Sequence, residues 1–202
     1  MKVPSQRIAL LAIDLQNGFC RPGGTFERSG VDVSVVAPAV VECSRLVAAA
    51  RSAGVPVIFT KAWFQPDGSD AGFSVSEVMR RASTRDLVAR DTWDAAIIDG
   101  LGPVSKDHVM TKIRFSPFGG SAIDPLLTAL RIENLVICGL TTSICVESTV
   151  RDAASRDYRV FVPTDAVAEY SPEMHRASLA VIEYGFGFLT TSDDVISAWR
   201  TE

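Results

Sequence analysis

Six short apolar runs, separated by segments of helical length or longer, constrain this sequence more than any other feature. Ile8 to Ile13 (IALLAI) has no polar interruption and stops on Asp14. A strand with one solvated face alternates apolar and polar side chains, so an unbroken run of this kind needs burial on both faces. Val55 to Thr60, His108 to Thr111, Leu135 to Cys138, Arg159 to Val162 and Phe186 to Thr190 read as further strands. Ser34 to Ala53 is rich in Ala and Val and is stopped by Gly54, which predicts a helix. Ala122 to Leu130 reads as a second helix. Val146, Val150, Ala153 and Ala154 recur at helical spacing and place a third over 143–156. Ser171 before Pro172 is an N-cap followed by proline at the first helical position, and Gly185 ends that helix. Thr191, three residues before Asp194, caps the last one. Strands and helices in alternation predict an α/β fold: a doubly wound, mostly parallel six-stranded sheet with helices on both faces, three layers in all.

The 202 residues suit one compact domain over 1–202, and 47% hydrophobic content suffices to cover both faces of a sheet. The net charge is -4, with cations scattered among anions, so no nucleic-acid partner is expected. The apolar runs are broken by Asp, Arg or Gly, and no membrane association is expected. The start, MKVPSQRIALLAID, lacks the long apolar core and cleavage site of a signal peptide. Four cysteines are too sparse for a disulfide framework, which points to reduced thiols and a cytoplasmic protein. Residues 61–85, with Gly, Pro, Asp and Ser, form a long excursion of functional length, either a lid or an intersubunit contact.

In open α/β sheets, ligands bind beyond the carboxyl ends of the strands. Asp14 ends the first strand and Lys112 ends the strand beginning at His108. Cys145 follows the strand Leu135 to Cys138 across Gly139-Leu-Thr-Thr-Ser-Ile and stands at a helix start, where the dipole and free N–H groups favour a thiolate. An adjacent ammonium would favour it further, and a carboxylate could carry the proton. Taken singly, each has a plain structural role: Cys145 as a small core side chain, like Cys43 and Cys138; Asp14 as a turn residue; Lys112 as a solvated cation. Spacing alone does not join them.

The segments AIDLQNGFCRPGG and KIRFSPFGGSAIDPLLTALRIENLVICGLTTSICVESTVRDAASRDYRVFVPTDAVA resemble the isochorismatase-like cysteine hydrolase superfamily. That group includes nicotinamidases, N-carbamoylsarcosine amidases, ureidoacrylate amidohydrolases and biuret hydrolases. The Gly-x-x-Thr-x-x-Cys turn, followed by Glu-Ser-Thr-x-Arg-Asp-Ala, is its most specific part.

The resemblance implies an isochorismatase-like fold and a catalytic triad of Asp14, Lys112 and Cys145. It implies a cis peptide at Leu140–Thr141 and an oxyanion hole from the backbone N–H groups of Thr141 and Cys145. The activity implied is hydrolysis of a C–N bond in a small amide, carbamoyl or ureido compound through a thioester, with loss of ammonia or an amine. It further implies a homodimer or homotetramer. Vinyl-ether cleavage, the isochorismatase reaction proper, is the alternative enzyme class, and members with that activity generally lack the cysteine. A non-catalytic binding protein is the third reading, opposed by the presence of all three triad residues. Phe19, Trp63 and Phe115 are candidates to line the pocket. Nicotinamidases carry an Asp-x-His metal pair after the second strand. Here Ala62 and Phe64 fill those positions, and His108 and His175 have no ligand spacing, so neither a metal nor another cofactor is expected.

Overall fold

The computed structural model describes residues 1–73, 77 and 88–200. Most of 74–85 therefore lies outside the described residues, and so does the expectation of a lid or intersubunit contact there.

A parallel sheet organises the chain. Its strands are β1 (Ile8–Ile13), β2 (Val57–Ala62), β3 (His108–Lys112), β4 (Asn134–Leu140), β5 (Arg159–Pro163), β6 (Val167–Ala168) and β7 (Phe188–Thr190). They lie in the order β3-β2-β1-β4-β5-β7, and the two-residue β6 pairs with β4 off that path. The six expected strands are thus present, joined by a short seventh. β1 is flanked by β2 and β4, with Ile13 opposite both Thr60 and Gly139. From β1 the chain winds outward through β2 to β3; from β4 it winds the other way through β5 to β7. The switch point falls between β1 and β4, the place where such sheets open a crevice. β1 and β4 are buried along their whole length, as the apolar runs Ile8–Ile13 and Leu135–Cys138 require.

Helices cover both faces: α1 (Asn17–Cys20), α2 (Thr25–Arg28), α3 (Ala37–Ser52), α4 (Ile123–Ala129), α5 (Glu147–Ala154), α6 (Pro172–Gly185) and α7 (Ser192–Trp199). Leu10, Ala12, Phe59 and Val136 pack on one face with Leu46 and Val47 of α3 and Val195 and Trp199 of α7. Leu11, Ile13, Ile58 and Ile137 pack on the other with Leu127 of α4, Val150 of α5 and Ile182 of α6. By length and composition Val33–Ser52 is apolar enough to cross a membrane, which the reading of broken apolar runs did not anticipate. In the fold it is a 3-10 turn (Val33–Val36) leading into α3, whose Cys43, Leu46, Val47 and Ala50 are buried against the sheet.

The capping signals are realised. Ser171 Oγ accepts from Met174 N at the start of α6, and Thr191 Oγ1 accepts from Asp194 N at the start of α7. Several boundaries move by one to three residues, and two of the shifts have a plain cause. β2 starts at Val57 rather than Val55, because Val55 N still bonds back to Ala50 O in the turn that ends α3. β7 starts at Phe188 because Phe186 N and Gly187 N both bond Ile182 O. The helix expected over 143–156 is α5 preceded by a π-helical turn, Thr142–Val146.

Candidate active site

Three strand ends converge on one point. Asp14, the residue after β1, has φ 52°, a left-handed conformation that Asp tolerates better than most residues. Thr60 Oγ1 on β2 donates to Asp14 Oδ1 at 3.0 Å. Lys112 ends β3, two strands from β1, and its side chain crosses β2 to bring Nζ within 2.6 Å of Asp14 Oδ2. The residue opposite Lys112 on β2 is Ala62, whose methyl leaves that crossing open. Lys112 Nζ also donates to Arg114 O at 3.2 Å and approaches Cys145 Sγ at 3.5 Å. Gln16 fixes the neighbouring backbone, donating to Ala62 O and Ala95 O and accepting from Ala62 N.

β4 delivers the cysteine. Gly139 has φ 114°, and a Cβ there would lie 2.1 Å from Ile13 O, so only glycine lets β4 pass this close to β1. The Leu140–Thr141 peptide is cis, as the resemblance implied. Thr141 O then accepts from Val146 N across the π turn that holds Cys145. Turns of this kind recur at functional sites. Glu169 Oε2 accepts from Ser143 N at 3.1 Å and from Ser143 Oγ at 2.5 Å. His175 Nδ1 lies 2.9 Å from Thr142 Oγ1, and Ser178 Oγ donates to Thr142 O. Thr60, Ser143, Glu169 and Ser178 were not singled out from the sequence, and His175 was assigned no role there. Nothing in their spacing marks them; they meet the site only through strand register and helix packing.

Two influences oppose each other at Cys145: the helix start and Lys112 favour the thiolate, while burial pushes the thiol up to about 12, with Asp14 adding to the rise. Lys112 cannot depress it far because its charge is already matched by Asp14. Burial would lower the Lys112 ammonium, but Asp14 and Cys145 more than offset that and hold it above its ordinary value. The thiol thus stands beside a buried ion pair, and burial favours its neutral form. Asp14 Oδ2 faces the Lys112 ammonium and accepts no other hydrogen bond among the described residues.

Of the candidate pocket residues, Phe19 and Phe115 pack with Ala62, Phe64 and Ala71 in one apolar cluster. Trp63 stands outside that cluster, its ring under the Lys61 ammonium at 3.8 Å from the centroid. Ala62 and Phe64, which the resemblance sets at the positions of a metal pair, are both buried and apolar. Among the described residues, no three His, Cys, Asp or Glu side chains are gathered as a metal would require. His108 is half-buried at the start of β3, and Cys43 and Cys138 are buried in the core.

Residues 8–194 match the model of the Isochorismatase domain family. The chain belongs to the isochorismatase family. One curated relative, the ureidoacrylate amidohydrolase RutB of Methylobacterium radiotolerans, is 40% identical over 194 residues, covering 90% of this chain and 75% of the relative. A cysteine hydrolase from Pseudomonas syringae pv. phaseolicola superposes with a TM-score of 0.85 at 30% identity, over 98% of this chain and 95% of that one. N-carbamoylsarcosine amidase from Thermoplasma acidophilum superposes with a TM-score of 0.74 at 25% identity, over 96% and 98%. This isochorismatase-family chain is an amidohydrolase of the cysteine type, and of its four cysteines Cys145 is the one beside Lys112.

Proposed function

We propose that this chain hydrolyses a C–N bond of a small ureido, carbamoyl or amide compound, with Asp14, Lys112 and Cys145 as its catalytic residues. One observation carries the reading: a partly buried thiol, a buried ammonium and a buried carboxylate meet at the switch point of the sheet. The preference for a ureido group draws on the relative that bears that substrate's name and on the apolar Ala62 and Phe64, which suit a substrate held by hydrogen bonds rather than by a metal.

The neutral thiol makes proton transfer part of the attack. As Sγ bonds to the carbonyl carbon, its proton passes to Asp14 Oδ2, so charge does not accumulate on sulfur in a buried site. The carbonyl oxygen becomes an oxyanion held by the backbone N–H groups of Thr141 and Cys145, donors of a kind worth about 2.7–4 kcal/mol each. Lys112 stays protonated and offsets the negative charge that moves among sulfur, oxygen and carboxylate. Collapse breaks the C–N bond, and Asp14 returns its proton to the departing nitrogen, which leaves as ammonia or an amine. An amide leaves a thioester on Cys145; a ureido group leaves a thiocarbamate. Water then gives a proton to Asp14 and hydroxide to the acyl carbon, and the acid or carbamate departs as the proton returns to sulfur.

The same reading takes 1–202 as one hydrolase domain, cytoplasmic, working as a homodimer or homotetramer. Ammonia release from a panel of ureidoacrylate, N-carbamoyl amino acids, maleamate and nicotinamide tests it. The expected order places a ureido or carbamoyl compound first. Turnover of nicotinamide alone would overturn the substrate assignment.

A further inference from the structure

Glu169 is the first residue beyond β6, and β6 exists only as two residues paired with the end of β4, Val167 opposite Gly139 and Ala168 opposite Leu140. The next positions in that register are Glu169 and Thr141, so the chain leaving β6 runs beside the turn that carries the nucleophile. The carboxylate makes three contacts there. Oε2 accepts from Ser143 N and Ser143 Oγ, while Oε1 accepts from Tyr170 N, the residue that follows it. Tyr170 is itself fixed, its hydroxyl donating to Phe19 O at 2.7 Å and its ring lying 5.1 Å from that of Phe26.

Ser143 sits midway between Thr141 and Cys145. A carboxylate on its N–H does two things. It satisfies one of the unpartnered donors at the start of the helical run, with a favourable charge for that end of the helix. It also withdraws Ser143 N–H from the donors a substrate oxygen could reach, so that Thr141 and Cys145 are left to receive it. We infer that Glu169 is a positioning residue that locks the nucleophile turn and selects which of its backbone donors face the substrate. The inference rests on the proposed reaction for its kinetic consequence, though not for its structural one.

Three variants test it: Glu169→Ala, Glu169→Gln and Ser143→Ala, each compared with wild type for kcat and KM on the best substrate of the panel. Glu169→Ala should lower kcat roughly tenfold to a hundredfold, less than the 10²–10³ of a deleted oxyanion donor, with KM within about threefold. Glu169→Gln keeps an acceptor for Ser143 N and should recover most of that loss. Ser143→Ala keeps the N–H contact and should stay within a few-fold of wild type. Amide hydrogen exchange over 140–146 is read in parallel; it should quicken in Glu169→Ala and stay near wild type in Glu169→Gln. A rise in KM with kcat unchanged would make Glu169 a substrate contact and overturn the inference. If wild type turned over none of the panel, the substrate reading would fall while exchange still decided this one: equal exchange in wild type and Glu169→Ala would refute it.

Discussion

Lys112 Nζ lies 2.6 Å from Asp14 Oδ2, and each of the two side chains is only 2% exposed. Two charges this deep stabilise each other but are individually costly, and removing one leaves the other uncompensated by about 3–5 kcal/mol. Lys112→Met should therefore lower stability by an amount of that order and abolish turnover. Asp14→Asn with Lys112→Met, which removes both charges, should recover much of the stability and none of the activity. Urea denaturation beside an ammonia assay checks both halves. A stable, active Lys112→Met would remove the pair from the mechanism.

Cys145 is partly exposed, whereas Cys20, Cys43 and Cys138 are buried, so iodoacetamide should label Cys145 first. Selectivity comes from access rather than from a resting thiolate. With the thiol pushed up to about 12, labelling should be slow at neutral pH and should keep rising about tenfold per pH unit beyond pH 9, where an ordinary thiol levels off. Peptide mass spectrometry across that range reads it. A plateau near pH 7 would show that a thiolate is present at rest.

Chelation tests the donor set. A catalytic zinc or iron needs about three protein ligands, usually with histidine among them. Ala62 and Phe64 offer none, and both lie in apolar surroundings. Prolonged dialysis against EDTA should leave turnover unchanged. Activity lost on dialysis and restored by added zinc or iron would contradict this.

The strands could be read because burial on both faces forces unbroken apolar sequence, and β1 and β4 are buried throughout. α1, α2 and β6 left no such mark: four or two residues are too short for a period to appear. Asp14, Lys112 and Cys145 stood out by their places at strand ends, but only the resemblance joined them, since β2 lies between the strands of Asp14 and Lys112. The upward shift of the Cys145 thiol was hidden for another reason. It depends on burial and on Lys112 being matched by Asp14, which are properties of packing and not of spacing. Trp63 was offered with Phe19 and Phe115 as a pocket candidate, and its contact with the Lys61 ammonium, like the packing of Phe19 and Phe115 on Ala62, could not be read from spacing.

His175 links stability to pH. Burial holds its imidazole below the ordinary value, with Glu169 opposing. The unfolded chain then binds a proton that the folded chain does not, so stability is full above about pH 6.5 and falls as pH drops through the lowered value. Urea denaturation of wild type at about pH 7.5 and 5.5 should show a loss that His175→Asn reduces. The same loss in both proteins would assign the acid sensitivity to other groups.

In the proposed reaction Cys145 forms a covalent acyl intermediate while Asp14 carries the proton. Intact-protein mass spectrometry after rapid acid quench, during turnover of the preferred ureido or amide substrate, tests it most directly. Wild type should carry an added mass equal to the acyl or carbamoyl fragment, located by peptide mapping to Cys145. Cys145→Ala should carry no adduct and release no ammonia above background. Ammonia release by Cys145→Ala at the wild-type rate would contradict the account outright.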